Sequence, residues 1–397
     1  MAQVHWAHLH HKYGVSDRPH RILALDGGGV RGIITLKVLE RLEQQLARHT
    51  GQGNAFRLGD WFDLIGGTST GAIIAAGLAR GMTVADLLVF YLGAANEMFQ
   101  KNFFLTSLLH TRYDEGPLCD QLRTTFGEQT TLDIANDPQW RCLFTAVTTN
   151  WTTKSPWPLT NNPFAKYNAP ERADCNLRVP LWKIVRASTA APVFFLPEAI
   201  NWDPSDPTKT FVFVDGGLTQ HNNPSFALYR TATLAPYGLS WPTGENHLFL
   251  LSLGTGIHQT VRDPMTASGQ DILANAKAIP GVLMDVASAD QDLNCRAVGR
   301  CVLGDQIDRE VGDLIPRRNG HLLALDQDTG RAFRYARINA DISSEGLMAL
   351  GLPDIDPDNI AQLDSVDGIG DLQRVGNALQ PQVDELFARL APVIDRM

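Results

Sequence analysis

Gly67-Thr68-Ser69-Thr70-Gly71 is the stretch of this chain best suited to chemistry. It is entered from an apolar run, residues 61–65, and left through a helical one, residues 72–80. That pattern describes a strand turning sharply into a helix around a serine, with glycines where no side chain fits. Such a hydroxyl, at a helix N-terminus, can attack a carbonyl while nearby backbone N–H groups stabilise the oxyanion. Two more glycine turns accompany it, Asp26-Gly27-Gly28-Gly29-Val30-Arg31-Gly32 and Asp215-Gly216-Gly217. Each follows a short apolar run, residues 21–25 and 210–214, read here as a buried strand. Loops at the carboxyl edge of an open α/β sheet assemble sites, so the three turns are expected in one cleft. Ser69 would then be the nucleophile, the amides of Gly27, Gly28 and Gly29 the oxyanion donors, and Asp215 the acceptor of the serine proton.

Other readings of the same residues have to be weighed. The first turn contains Gly27-x-Gly29-x-x-Gly32, a dinucleotide-binding pattern. That pattern needs an acid about 20 residues on, at the end of a second strand, to grip a ribose. Here the next strand runs straight into Gly67 instead. A serine hydrolase of another kind would need a histidine, and His221, His247, His258 and His321 follow the serine. None lies in a comparable turn, and His221 is the nearest rival because it follows Asp215 closely. Arg31 either supports the oxyanion loop or a substrate phosphate, or is a surface charge at the helix start.

The elements that must position these groups alternate between strand and helix. After the first glycine turn, Ile33, Leu36, Leu39, Leu42 and Leu46 recur at helical spacing with charges on the other faces. Residues 82–109 are helical and unusually apolar, ending in Phe99, Phe103, Phe104, Leu105, Leu108 and Leu109, and read as core more readily than as a lipid-contacting lid. A turn is expected at residues 113–116, a helix around Leu118, Leu122 and Phe126, and a strand over 140–149. The Pro- and Asn-rich stretch to Asn162 reads as a surface loop. A short helix over 183–191 is stopped by Pro192. Asn222-Asn223-Pro224-Ser225 should start a helix, with asparagine as cap and proline at its first position, and residues 247–253 form a further strand. Beyond 260 the expectation is two helices, over 271–278 and 283–297, an edge strand over 333–338, and a last helix with Val383, Phe387, Leu390 and Ile394 on one face.

Composition narrows the class. The chain has 397 residues, 44% hydrophobic and 19% charged, which is ordinary for a globular protein. Its net charge of −9 is spread without long runs, so no nucleic-acid partner is expected. Five cysteines without a Cys-x-x-Cys pair argue against a disulfide framework and a zinc site. No basic start precedes an apolar core at the N-terminus, and nowhere do about 18 apolar residues run together, which points to a soluble cytoplasmic protein.

Taken jointly, the three turns resemble the motifs of the patatin-like phospholipases. Residues 26–32 match that family's glycine-rich oxyanion motif, 67–71 its nucleophile motif and 215–217 its aspartate motif, in the same order. Arg186-Ala187-Ser188-Thr189-Ala190-Ala191-Pro192 also resembles the alanine-proline segment usual between serine and aspartate. The likeness covers roughly residues 20–260. It implies a three-layer α/β/α fold with a mostly parallel sheet, a catalytic domain over 16–345, and a C-terminal helical segment, 346–397, packed on it. It further implies a Ser69–Asp215 dyad acting on acyl esters of lipids without cofactor or metal. The expected partner is a phospholipid or lysophospholipid, with transient contact to a membrane surface. Kept open beside this are a nucleotide-binding module using the Gly27–Gly32 loop, an acyltransferase, and a phospholipase effector switched on by a ligand.

Overall fold

The computed structural model describes residues 6–14, 18–98, 116–192, 194–203, 205–258 and 272–396. A nine-stranded sheet organises them: β1 (His20–Leu25), β2 (Leu64–Thr68), β3 (Leu143–Asn150), β4 (Ser155–Thr160), β5 (Glu198–Asn201), β6 (Thr210–Asp215), β7 (Leu248–Leu253), β8 (Arg300–Leu303) and β9 (Arg334–Ile338). In space the order is β5-β6-β3-β2-β1-β7-β9-β8, with β4 added on β3. Strands β3, β2, β1, β7, β9 and β8 pair in parallel. Every residue of β1 and β7 is buried, as expected for strands covered on both faces.

The longer helices are α1 (Gly32–His49), α2 (Thr70–Ala79), α3 (Val84–Met98), α4 (Gly116–Phe126), α5 (Leu181–Ser188), α6 (Ser225–Thr233), α7 (Ile272–Val298), α8 (Ile369–Ala378) and α9 (Gln380–Leu390). They lie on both sides of the sheet, and the mostly parallel, three-layer expectation holds. The core face of α1 is the predicted one, with Ile33, Leu36, Leu39, Leu42 and Leu46 all buried. The apolar side of α3 is core as well, since Val84, Leu87, Phe90 and Tyr91 are buried. The aromatic run from Phe99 to Leu109 and residues 113–115 of the expected turn lie outside the described residues.

Several expectations are corrected. Residues 61–65 are not a strand throughout. A helical turn, Leu58–Trp61, comes first, and β2 begins only after Asp63, whose carboxylate accepts from Arg18 at 2.9 and 2.6 Å and from the Arg21 N–H. The supposed surface loop after β3 contains β4, an edge strand that pairs only with β3. Pro156 and Pro158 are tolerated there because an edge strand can spare an N–H. Its Trp157 packs against Trp202, Phe211 and Phe213. The two helices expected after 260 are one, α7. The strand near 333–338 is not an edge: β9 lies between β7 and β8. The true edge, β8, carries no apolar signature at its start, because Arg300 is buried by an ion pair with Glu245 at 2.9 Å. Helix α6 starts at Ser225, directly after Pro224, and Asn223 Oδ1 accepts the Ser225 N–H at 3.0 Å.

The C-terminal elements pack on the sheet domain. Helix α8 crosses α1 so closely that a Cβ on Gly376 would lie 2.6 Å from the Lys37 side chain. Val383 and Leu390 of α9 are buried, Phe387 partly so, and Ile394 follows in a separate 3-10 turn.

Candidate functional site

The serine turn is built by sterics. Ser69 has φ 55° and ψ −122°, a conformation that costs on the order of 1–3 kcal/mol for a non-glycine residue and persists where the surroundings enforce it. A Cβ on Gly67 would sit 2.1 Å from the Gly71 backbone, and one on Gly71 would sit 2.3 Å from the Leu25 carbonyl oxygen. Both flanking positions therefore require glycine. The result lifts the Ser69 side chain off the end of β2 at the start of α2.

Asp215 arrives by an unexpected route. Its strand, β6, is antiparallel to β3, so the site is not made of three parallel strand ends. β3 carries β4 along one edge, and β2 and β6 share the other, end to end. β2 pairs up to Thr68 opposite Val147, and β6 takes over at Asp215 opposite Thr148. The two carboxyl ends abut, and Ser69 Oγ donates to Asp215 Oδ2 at 2.5 Å. Asp215 Oδ1 accepts the Gly217 N–H at 2.7 Å. Burial pushes the Asp215 carboxyl up to about 6, against the opposing pull of the Ser69 hydroxyl, the Gly217 N–H and the Arg186 guanidinium. It is thus a stronger base than an exposed carboxylate, and still ionised at neutral pH.

The glycine loop packs on the same cleft. Asp26, at its base, is not a reacting group: Arg337 donates to its two oxygens at 2.9 and 2.6 Å in a buried ion pair that anchors the loop to β9. Gly27 donates its N–H to the Asn222 carbonyl at 3.1 Å, and its own carbonyl accepts from Thr255 Oγ1 at 2.8 Å. The Gly27 amide is therefore engaged inside the protein. Gly28 and Gly29 line the cavity beside Ser69, and their N–H groups meet no protein acceptor among the described residues. Gly29 has φ +57°, and a Cβ there would lie 2.2 Å from the Leu363 carbonyl oxygen, which accepts the Val30 N–H at 2.9 Å. Tyr91 donates to the Gly29 carbonyl and accepts from Thr70 Oγ1, tying α3 to both turns.

Arg31 is not the surface charge that one reading allowed. It is 5% exposed and absent from the cavity wall, with burial and then the Asp285 and Asp26 carboxylates governing its charge. His221 is also excluded from the cleft wall. Burial, reinforced by Arg230, lowers its imidazole to about 4, and its Nε2 faces Arg230 at 3.2 Å. None of His247, His258 and His321 lines the cavity.

The sequence did not assign a role to the segment before Pro192, and its geometry supplies one. Ser188 Oγ accepts the Ser69 N–H at 3.0 Å and donates to the Val147 carbonyl at 2.6 Å. Two residues on, the Ala190 carbonyl accepts the Asp215 N–H at 3.0 Å. One short stretch thus holds the backbones of both residues. Ser188→Ala leaves the partly buried Ser69 N–H without its acceptor, at a cost of about 1 kcal/mol, the low end for an unpaired donor. The expected result is a lower kcat on a soluble ester with KM little changed, measured beside a melting curve. The remaining wall is apolar, with Ile73, Leu118, Phe194, Phe195, Leu218 and Met284 around the serine.

A serine on a strained strand-to-helix turn, bonded to a buried aspartate in an apolar cleft, is an arrangement chemically suited to nucleophilic attack. In comparison with known proteins, the family model described as patatin-like phospholipase matches residues 23–229, and the chain belongs to that family. It is 34% identical over 218 residues to a cGAMP-activated phospholipase of Escherichia coli, covering 53% of this chain and 55% of that one. A cGAMP-activated phospholipase of Vibrio cholerae is 33% identical over 52% of this chain and 56% of its own. Patatin-T5 of Solanum tuberosum is 30% identical over 59% of this chain and 60% of its own. The chain spans a little over half the length of these relatives.

Proposed function

We propose that this protein hydrolyses carboxylic esters of lipids, in the manner of a phospholipase A or lysophospholipase, through a Ser69–Asp215 dyad. The observation that carries this reading is the 2.5 Å bond from Ser69 Oγ to Asp215 Oδ2 in an apolar cleft. Ser69 Oγ attacks the acyl carbonyl carbon as its proton passes to Asp215 Oδ2. The N–H groups of Gly28 and Gly29 receive the oxyanion. Asp215 returns the proton to the departing alkoxide, leaving an acyl-enzyme on Ser69. Water then attacks that ester, again giving its proton to Asp215, and the fatty acid leaves as Ser69 is reprotonated.

The nucleotide-binding reading loses support from the same loop. Four of its amides are already used, Gly27 to Asn222, Val30 to Leu363, Arg31 to Gly28 and Gly32 to Gly29, so few remain for phosphates. Control by a ligand is a proposal favoured by the two bacterial relatives, whose names describe them as cGAMP-activated. No helix among the described residues is long and apolar enough to cross a membrane.

The test is release of fatty acid from phosphatidylcholine, lysophosphatidylcholine and triacylglycerol, with and without cGAMP and with a lysolipid acceptor present. Wild type should release fatty acid and Ser69→Ala should not. Equal release by both would overturn the reading, and transfer of the acyl group to the acceptor would redefine the enzyme as an acyltransferase.

A further inference from the structure

We infer that the mouth of the cleft is a membrane-docking surface centred on the exposed face of α7, and that it seats on zwitterionic bilayers. The inference rests on the lipid-ester reading above and names the surface from which the substrate would be drawn. Val282, Leu283 and Val286 are 53, 60 and 62% exposed on one turn of α7. Aliphatic side chains held this far into water, side by side, are a cost that a solvent-facing helix normally avoids.

The patch is continuous with the cleft. Met284, on the same turn, lines the cavity, and so does Leu218, which is itself 41% exposed. Leu196, beside the cavity-lining Phe194 and Phe195, is exposed on the same segment. An apolar path therefore runs from solvent to Ser69. From Gly281 to Ala287 the single ionisable group is Asp285, which is partly buried and faces the charges of Arg31 and His258 rather than open water. That stretch carries no cation, and the whole chain is acidic at −9. Anionic head groups would be repelled, so apolar insertion into a neutral interface is the interaction this surface can make.

The experiment pairs the double variant Leu283→Asp/Val286→Asp with the parent protein. Neither residue lines the cleft. Binding is read by flotation with phosphatidylcholine vesicles in a Ser69→Ala background, so that no lipid is consumed. The double variant should lower the bound fraction at least about tenfold, because two aliphatic side chains that leave water on insertion are replaced by charges that cannot. With Ser69 intact, hydrolysis of a soluble short-chain ester should be unchanged while hydrolysis of vesicle lipid falls. Undiminished flotation would overturn the docking surface and leave the proposed activity standing. Absence of soluble-ester hydrolysis in the parent would instead overturn the activity, with flotation still judging the surface. A parent that is dimeric in solution and a double variant that is monomeric would assign the face to a second copy of this chain, and that too overturns the proposal.

Discussion

Asp215→Asn should lower ester hydrolysis by about 10²–10⁴-fold, the range for removing a general base, and yet raise the thermal stability of the protein at neutral pH. The two effects have one cause. Burial raises the Asp215 carboxyl from its usual 3.8 to about 6, so the folded protein holds an ionised group that the unfolded chain would solvate better. A shift of that size is worth about 3 kcal/mol above pH 6. Between about pH 4 and 6 the folded protein binds the proton and the unfolded chain does not, so wild-type stability falls as pH rises through this window. Asparagine keeps the shape and can still accept from the Gly217 N–H, without the charge. Its stability advantage should be absent below pH 4, appear up to pH 6 and stay constant above. Wild-type kcat/KM should rise with pH through about 6 and then level off, because the base must be ionised. Melting curves and rate profiles over that range check both halves. A destabilised Asp215→Asn, or an activity flat across pH 6, would count against a buried aspartate base.

Gly29→Ala should cost about 10²–10³ in kcat, the loss expected for one oxyanion donor. The added methyl meets the Leu363 carbonyl oxygen at 2.2 Å, and φ +57° is unfavourable for alanine. The loop must shift, and with it the Gly29 N–H. Gly51→Ala is the control: it has φ +69° with nothing within 4 Å, so it carries the backbone strain without the collision. Measured on a soluble ester, Gly51→Ala should retain activity and Gly29→Ala should not. The clash partner has a further meaning. Leu363 lies in the C-terminal segment, yet it lines the cavity and holds the Val30 N–H. We propose that residues 346–397 complete the wall of the cleft rather than only packing against the domain.

Much of this was legible in the sequence because the glycines mark it. Gly67, Gly71 and the first glycine turn occur where a Cβ would collide, and such positions leave a trace in residue type. Ser69, Asp215 and the cleft-side glycines could therefore be picked out as candidates from sequence, while the distance between them could not. Two kinds of feature stayed hidden. Strands β8 and β9 carry Arg300, Arg334 and Arg337, whose burial depends on Glu245, Asn246 and Asp26, far along the chain. The ion pair of Asp26 was likewise hidden, because its partner Arg337 stands 311 residues away. Ser188, Tyr91 and Leu363 act through hydrogen bonds to the backbone of the two turns, which no spacing announces.

The shared edge of β3 makes that strand a ruler. Ser69 and Asp215 belong to segments that do not pair with each other, and each is registered separately against β3, at Val147 and Thr148. Their separation is thus set by the count of residues in a third strand. Side chains of β3 can vary while the ladder stays in step, but one residue inserted between Val147 and Thr148 would displace Asp215 by about 3.3 Å and turn it toward the opposite face. The spacing on which the chemistry depends is stored as an integer, in a strand that contributes no reacting group.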